Sequence, residues 1–142
     1  LGGNIEMVPS PGTWIYESDK GVLTVEVRRL GGSDGYVRLA YSIGGAHHVG
    51  ADPAVRGVNY NASLPPNGTL TWDHGDTAPK VLVVTPLVDG VGLYYEKELT
   101  VSLSLDYAEH RTNVRSPSLT LAIRNSDPGV SALLAANGPA LG

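Results

Sequence analysis

Few residues in this chain have the type and spacing to do chemistry. His47 and His48 stand side by side in a stretch that also holds Asp52. Imidazole nitrogens bind metal when a loop turns both rings inward, and Asp52 or His74 would supply further ligands. Neighbouring side chains on an extended segment point apart, however. Solvated loop histidines are therefore the expectation. His74 lies between Asp73 and Asp76, which suggests acid–base work. Yet Asp73-His74-Gly75-Asp76 has the composition of a turn, where Asp and Gly serve the backbone. A serine nucleophile needs an oriented base and an oxyanion hole, and the serine of Gly31-Gly32-Ser33-Asp34-Gly35 is read as part of a turn. No phosphate-cradling glycine loop precedes a helix, and no catalytic carboxylate pair can be assigned. The expectation is a chain that is not an enzyme.

Two further groups concern attachment and contact. Asn61-Ala62-Ser63 and Asn67-Gly68-Thr69 are N-glycosylation sequons, in or beside a long polar stretch. In a eukaryotic secretory protein at least one of Asn61 and Asn67 is expected to carry sugar. Tyr94-Tyr95, with Tyr60 and Tyr107, would make an aromatic platform for glycans or a partner if exposed. The opposing requirement is the core. The chain has no Phe, so Trp14, Trp72 and some tyrosines must fill the interior, and alternation puts Tyr94 and Tyr95 on opposite faces.

The elements that must position these residues are strands. Gly21-Val22-Leu23-Thr24-Val25-Glu26-Val27-Arg28 alternates apolar and polar residues, as does Tyr36-Val37-Arg38-Leu39-Ala40-Tyr41. The same pattern recurs in 69–72, 81–84, 99–103 and 119–123. Each segment offers one apolar face, as a half-buried antiparallel strand requires. An opening pair is expected near Ile5–Val8 and Trp14–Glu17, broken by Pro9-Ser10-Pro11-Gly12. Turn-forming residues separate the runs at 31–35, 65–68, 74–76 and 88–90. The fold class expected is all-β: an immunoglobulin-like antiparallel β-sandwich of about seven strands. The stretch from Gly44 to Pro66 has little pattern and is expected to be a long irregular loop. Only Val130–Ala136 has helical character, and its length is marginal for a helix on its own.

Composition narrows the function classes. The chain has 142 residues, enough for one domain with its own core. Lys+Arg 10 against Asp+Glu 14 leaves a formal net charge of −4. Nucleic-acid binding needs clustered basic charge and is not expected. No apolar run approaches the roughly 18 residues that span a bilayer. Cysteine is absent, which excludes disulfides and thiolate metal sites. The opening Leu1-Gly2-Gly3-Asn4 has neither the basic start nor the apolar run of a signal peptide, which is compatible with a chain that begins after one.

The order of these pieces resembles a Calx-beta domain, over nearly the whole chain up to Asp127. Tyr16-Glu17 followed by Gly21–Arg29 resembles the family's opening glutamate and glycine-led strand ending in arginine. Gly35–Tyr41 resembles its next strand, and Gly57-Val58-Asn59-Tyr60 its glycine–x–aspartate–tyrosine. Thr69–Asp76, Leu99–Leu103 and Ile123–Asp127 resemble the strands, turn and acidic exit that follow. The resemblance implies a two-sheet sandwich, often found in tandem in cell-surface and extracellular proteins. It also implies a Ca²⁺ site at one end in some members, built from acidic loop residues. Calcium takes six to eight oxygens, mostly from carboxylates. Carried onto this sequence, the site would comprise Glu17, Asn59, Asp89 and Asp127, with Asn59 standing for an aspartate and Gly90 for a second adjacent one. Glu96 and Glu98 stand near the displaced glutamates, and Asn125 and Ser126 replace acidic residues at the exit. So depleted a set is expected to bind Ca²⁺ weakly or not at all. Residues 1–127 are then one sandwich, and 128–142 a linker or the start of a following module. The function expected is a structural or adhesive module of a larger extracellular or cell-surface protein. Its partners would be neighbouring modules or matrix proteins, with attached N-glycans. The alternative is a module that binds Ca²⁺ or glycans through the loop end.

Overall fold

The computed structural model describes residues 1–16, 21–45, 51–87 and 96–124. These residues form eleven strands and contain no helix: β1 (Gly3–Ser10), β2 (Trp14–Tyr16), β3 (Leu23–Leu30), β4 (Val37–Gly45), β5 (Ala51–Pro53), β6 (Tyr60–Ala62), β7 (Asn67–Trp72), β8 (Lys80–Pro86), β9 (Glu96–Ala108), β10 (Thr112–Val114) and β11 (Ser118–Arg124). One sheet runs β10-β1-β3-β8-β6 and the other β2-β11-β9-β4-β7. β5 lies beside the start of β9, at Ala51↔Glu96 to Pro53↔Glu98, beyond the end of β4. The fold is the expected all-β sandwich.

The alternating runs became the long strands because each has a face to bury. β3 turns Leu23, Val25 and Val27 inward, β4 turns Val37, Leu39, Tyr41 and Ile43, and β9 turns Leu99, Val101 and Leu103. Fully burying one such aliphatic side chain contributes about 1.5–3 kcal/mol. The polar partners, such as Thr24, Glu26 and Arg28, are left on the outside of the sheet. The first strand is split between the sheets: β1 pairs antiparallel with β3, and after the Pro11-Gly12 step β2 pairs parallel with β11. β10 closes the other edge by pairing parallel with β1.

Several expectations need correction. The stretch from Gly44 to Pro66 is not one irregular loop. It contains β5 and β6, the latter paired with β8. Three-residue strands held by backbone hydrogen bonds leave no alternation to read. Trp14 is not a core residue, being 42% exposed, whereas Trp72 is fully enclosed. Tyr60 is 1% exposed and belongs to the core, so it contributes nothing to a surface platform. The long strands also run further than their alternating runs. β9 extends to Ala108 past a register shift opposite Arg38/Leu39. The boundary at Asp127, the tail 128–142 and the segment Val130–Ala136 lie outside the described residues.

Candidate functional site

The two ends of the sandwich differ in chemistry. At one end the outermost cross-strand row is Tyr16, Arg124, Glu96 and Ala51, on β2, β11, β9 and β5. The chain leaves the described structure here after Tyr16 and Arg124, and returns here at Glu96 and Ala51. Glu17 is the residue after Tyr16, and Asp127 is the third after Arg124. Asp89 is the second residue after Leu87, whose N–H donates to Asn59 O at 2.8 Å. Glu17, Asp89 and Asp127 themselves lie outside the described residues, as do His47-His48 and Tyr94-Tyr95.

Asn59 is described, and it works for the backbone. It is 4% exposed. Its Oδ1 accepts the Val55 N–H at 2.8 Å, and its own N–H donates to Val55 O at 2.8 Å. These bonds close the turn 55–59 that precedes β6. A cation would have to use the second lone pair of that oxygen.

Basic side chains accompany the acidic ones at this end. Arg124 Nε donates to Glu96 at 2.7 Å, and its guanidinium lies 4.0 Å from the centre of the Trp14 ring. Trp14 meets Tyr16 edge-on, with ring centres 5.2 Å apart. Lys97 reaches Asp52 at 3.4 Å, and the Arg56 guanidinium lies 5.6 Å from the Tyr60 ring centre. Among the described residues no three His, Asp or Glu side chains converge in a way that could hold a metal ion. Of the described carboxylates here, Glu96 is already paired with Arg124 and Asp52 with Lys97.

The opposite end is built around Arg29, which is none of the residues expected from the sequence to do chemistry. It is 1% exposed. Its guanidinium donates only to backbone carbonyls: Nε to Gly2 O (2.8 Å), Nη1 to Asp73 O (3.1 Å) and Asp76 O (3.2 Å), Nη2 to Asp34 O (2.9 Å) and Gly35 O (2.8 Å). Three segments are thereby tied to one side chain: the start of β1, the β3–β4 connection and the β7–β8 turn. The sequence does carry a signal for it. Arg29 continues the inward phase of Leu23, Val25 and Val27, so period two puts it inside.

His74 lies at this end too, in the turn expected of it. Asp76 N donates to Asp73 O at 2.9 Å, and Gly75 has φ +84°. Gly31-Gly32-Ser33-Asp34-Gly35 has the spacing of a nucleophile elbow, but an elbow needs a strand-to-helix turn. Here the segment joins the strands β3 and β4, and Ser33 O accepts the Gly75 N–H at 2.7 Å. Tyr107 is exposed, near Tyr36 (ring centres 6.1 Å apart) and Arg38, on the far side of the module from Tyr60. Asn61 and Asn67 are both exposed, on β6 and β7, the edge strands of the two sheets.

No family model and no curated protein matches the chain. Solved structures do. The apo-form Calx CBD1 domain superposes with a TM-score of 0.60 at 18% identity, over 87% of this chain and 98% of that one. The Calx CBD2 domain gives 0.65 at 16% identity, over 95% and 94%. The calcium binding domain CBD12 of CALX1.1 gives 0.58 at 20% identity, over 87% of this chain and 45% of that one. The two-sheet sandwich of this chain, with its split first strand, is the Calx-beta fold.

Proposed function

We propose that this chain is a non-catalytic module that takes Ca²⁺ weakly, at the end of the sandwich from which Glu17, Asp89 and Asp127 depart. The observation that carries the reading is the row Tyr16–Arg124–Glu96–Ala51, because it brings the chain positions beside Glu17, Asp127 and the acidic β9 start to one end. A solved structure of the same fold is named for calcium binding, which supports the reading. The affinity is set low by the small carboxylate count and by the pairing of Glu96 with Arg124 and of Asp52 with Lys97. Sites of few charged ligands fall at about 10⁻⁴–10⁻³ M.

Calorimetric titration with Ca²⁺, paired with thermal melts with and without chelator, tests this. At a Ca²⁺ concentration of about ten times Kd, the expected stabilisation is roughly 1.4 kcal/mol. The double variant Asp89→Asn/Asp127→Asn should lose the shift. Asn59→Asp, which keeps an acceptor for Val55 N–H and adds a charge, should tighten binding. No heat and no melting shift at about 10 mM Ca²⁺, ten times the weakest affinity expected, would remove the calcium reading.

A second reading is favoured by one observation: both sequon asparagines are exposed on edge strands. It takes the chain as a structural module of an extracellular or cell-surface protein, beside similar modules and carrying N-glycans at Asn61 or Asn67. A mass shift removed by a glycosidase on protein from its native source supports it. A parent chain with no neighbouring module and no secretory route overturns it.

A further inference from the structure

We propose that His74 and the β3–β4 connection form an acid-sensitive latch at the Arg29 end of the module. The Gly35 N–H lies 2.8 Å from His74 Nδ1. A backbone N–H can only donate, so Nδ1 must carry a lone pair and the ring proton must sit on Nε2. The latch is therefore closed only while His74 is neutral.

The other bonds of this connection show what the latch holds. Gly35 O and Asp34 O accept from Arg29 Nη2, and Ser33 O accepts from Gly75 N. Tyr36 N–H donates to Glu109 Oε1 at 2.7 Å. Residues 33–36 are thus gripped by three side chains: Arg29, His74 and Glu109. Gly35 itself sits at φ +77°, and a Cβ there would stand 2.6 Å from His110 Cδ2. The charged and titratable groups around His74 are Arg29 from β3, Asp34 from the β3–β4 connection with the Leu1 ammonium paired to it at 2.8 Å, and Asp73 and Asp76 on its own turn. Lys80 of β8 stands 3.9 Å from Asp76, and Glu109 and His110 come from the β9–β10 connection.

A proton on Nδ1 turns the acceptor into a donor facing another donor. It also sets a second positive charge on the turn that Arg29 holds. Asp34, Asp73 and Asp76 soften that charge but cannot restore the acceptor. The sign follows: the hydrogen bond contributes fully where imidazole is neutral and is lost as pH falls. A proton on the imidazole removes the Gly35 contact alone and leaves the bonds from Arg29 and to Glu109 in place. The sheets, held by burial, stay closed.

Amide hydrogen exchange read by NMR tests the latch, with protection taken relative to the unstructured chain at each pH. Between about pH 7.5 and about pH 5, the Gly35 amide is expected to lose roughly tenfold in protection, the ratio equivalent to one net hydrogen bond. Amides inside β4 and β9 should keep theirs. His74→Asn retains an acceptor that does not titrate, so its Gly35 protection should not change across this range. His110→Asn should respond as the parent does. Unchanged Gly35 protection in the parent, loss in His74→Asn equal to the parent's, or equal loss in every strand would each overturn the proposal.

Discussion

Replacing Arg29 with methionine is expected to cost about 3–5 kcal/mol of folding stability. Methionine reproduces the aliphatic stem but stops short of the planar group, so the loss combines the missing hydrogen bonds with the space the guanidinium vacates. Five carbonyl oxygens lose a guanidinium donor, and Asp73 O keeps the Asp76 N–H. The bonds to Gly2 O and Gly35 O are buried, while those to Asp34, Asp73 and Asp76 are partly buried and can turn to water. Each buried carbonyl left without a partner costs about 1–3 kcal/mol, and the two buried ones supply most of the total. Relief from the desolvation of the charge offsets part of this. Lysine should recover less than half, because an ammonium has three donors and no planar fork. Urea denaturation is the measurement, and a midpoint shift with an unchanged slope is the expected form. A loss below about 1 kcal/mol, the worth of one ordinary hydrogen bond, would mean that the three segments hold together without Arg29.

The second large effect concerns the two tryptophans, which should behave oppositely. Trp72 is fully enclosed, and its Nε1–H donates to Ala78 O at 2.7 Å. Trp72→Ala should cost about 3–5 kcal/mol through the cavity it leaves. With no Phe and one Met in the chain, few neighbours can fill such a space. Trp72→Phe should lose less, chiefly the bond to Ala78 O. Trp14→Ala should cost under about 1 kcal/mol, since a stacked cation on an exposed ring is worth about 0.5–1 kcal/mol. Comparable losses at both positions, measured in the same denaturant series, would contradict the burial that separates them.

Much of the fold was legible because alternation is a direct record of which side faces the core. The runs 21–28, 36–41 and 99–103 lie within or across the starts of β3, β4 and β9 for that reason. What was illegible has a common cause. β5, β6 and β10 have three residues each and are held by backbone bonds to a neighbouring strand, which are indifferent to side-chain type. Trp14 was misread because aromatic content says nothing about which ring is covered; its neighbours Tyr16 and Arg124 support it from outside the core. Arg29 was legible in principle, since Leu23, Val25 and Val27 lead to it in phase. A charged residue at an inward position marks the place where a strand pattern gives way to something specific. At the Tyr16–Arg124 end, the sequence supplied candidate ligands, and the strand register aligns only the described residues Tyr16, Arg124, Glu96 and Ala51. Asn59 illustrates the difference between the two kinds of information. Its place in a glycine–x–x–tyrosine run suggested a ligand, whereas its bonds to Val55 hold a turn.

The split first strand has a mechanical consequence. β1 and β2 run in the same direction, and β11 runs parallel to β2, so the chain enters at the Arg29 end and leaves at the Arg124 end. A pull between Gly3 and Arg124 draws β2 past β11, and β1 past its own partners β3 and β10. Their hydrogen bonds then share the force together instead of opening one after another. Pulling on Glu96 and Arg124, which face each other across β9 and β11, peels that pair apart from its open end. Single-molecule extension should therefore show a higher rupture force for the first attachment than for the second, and equal forces would count against this geometry. A module built this way resists stretching along the direction in which its own chain runs.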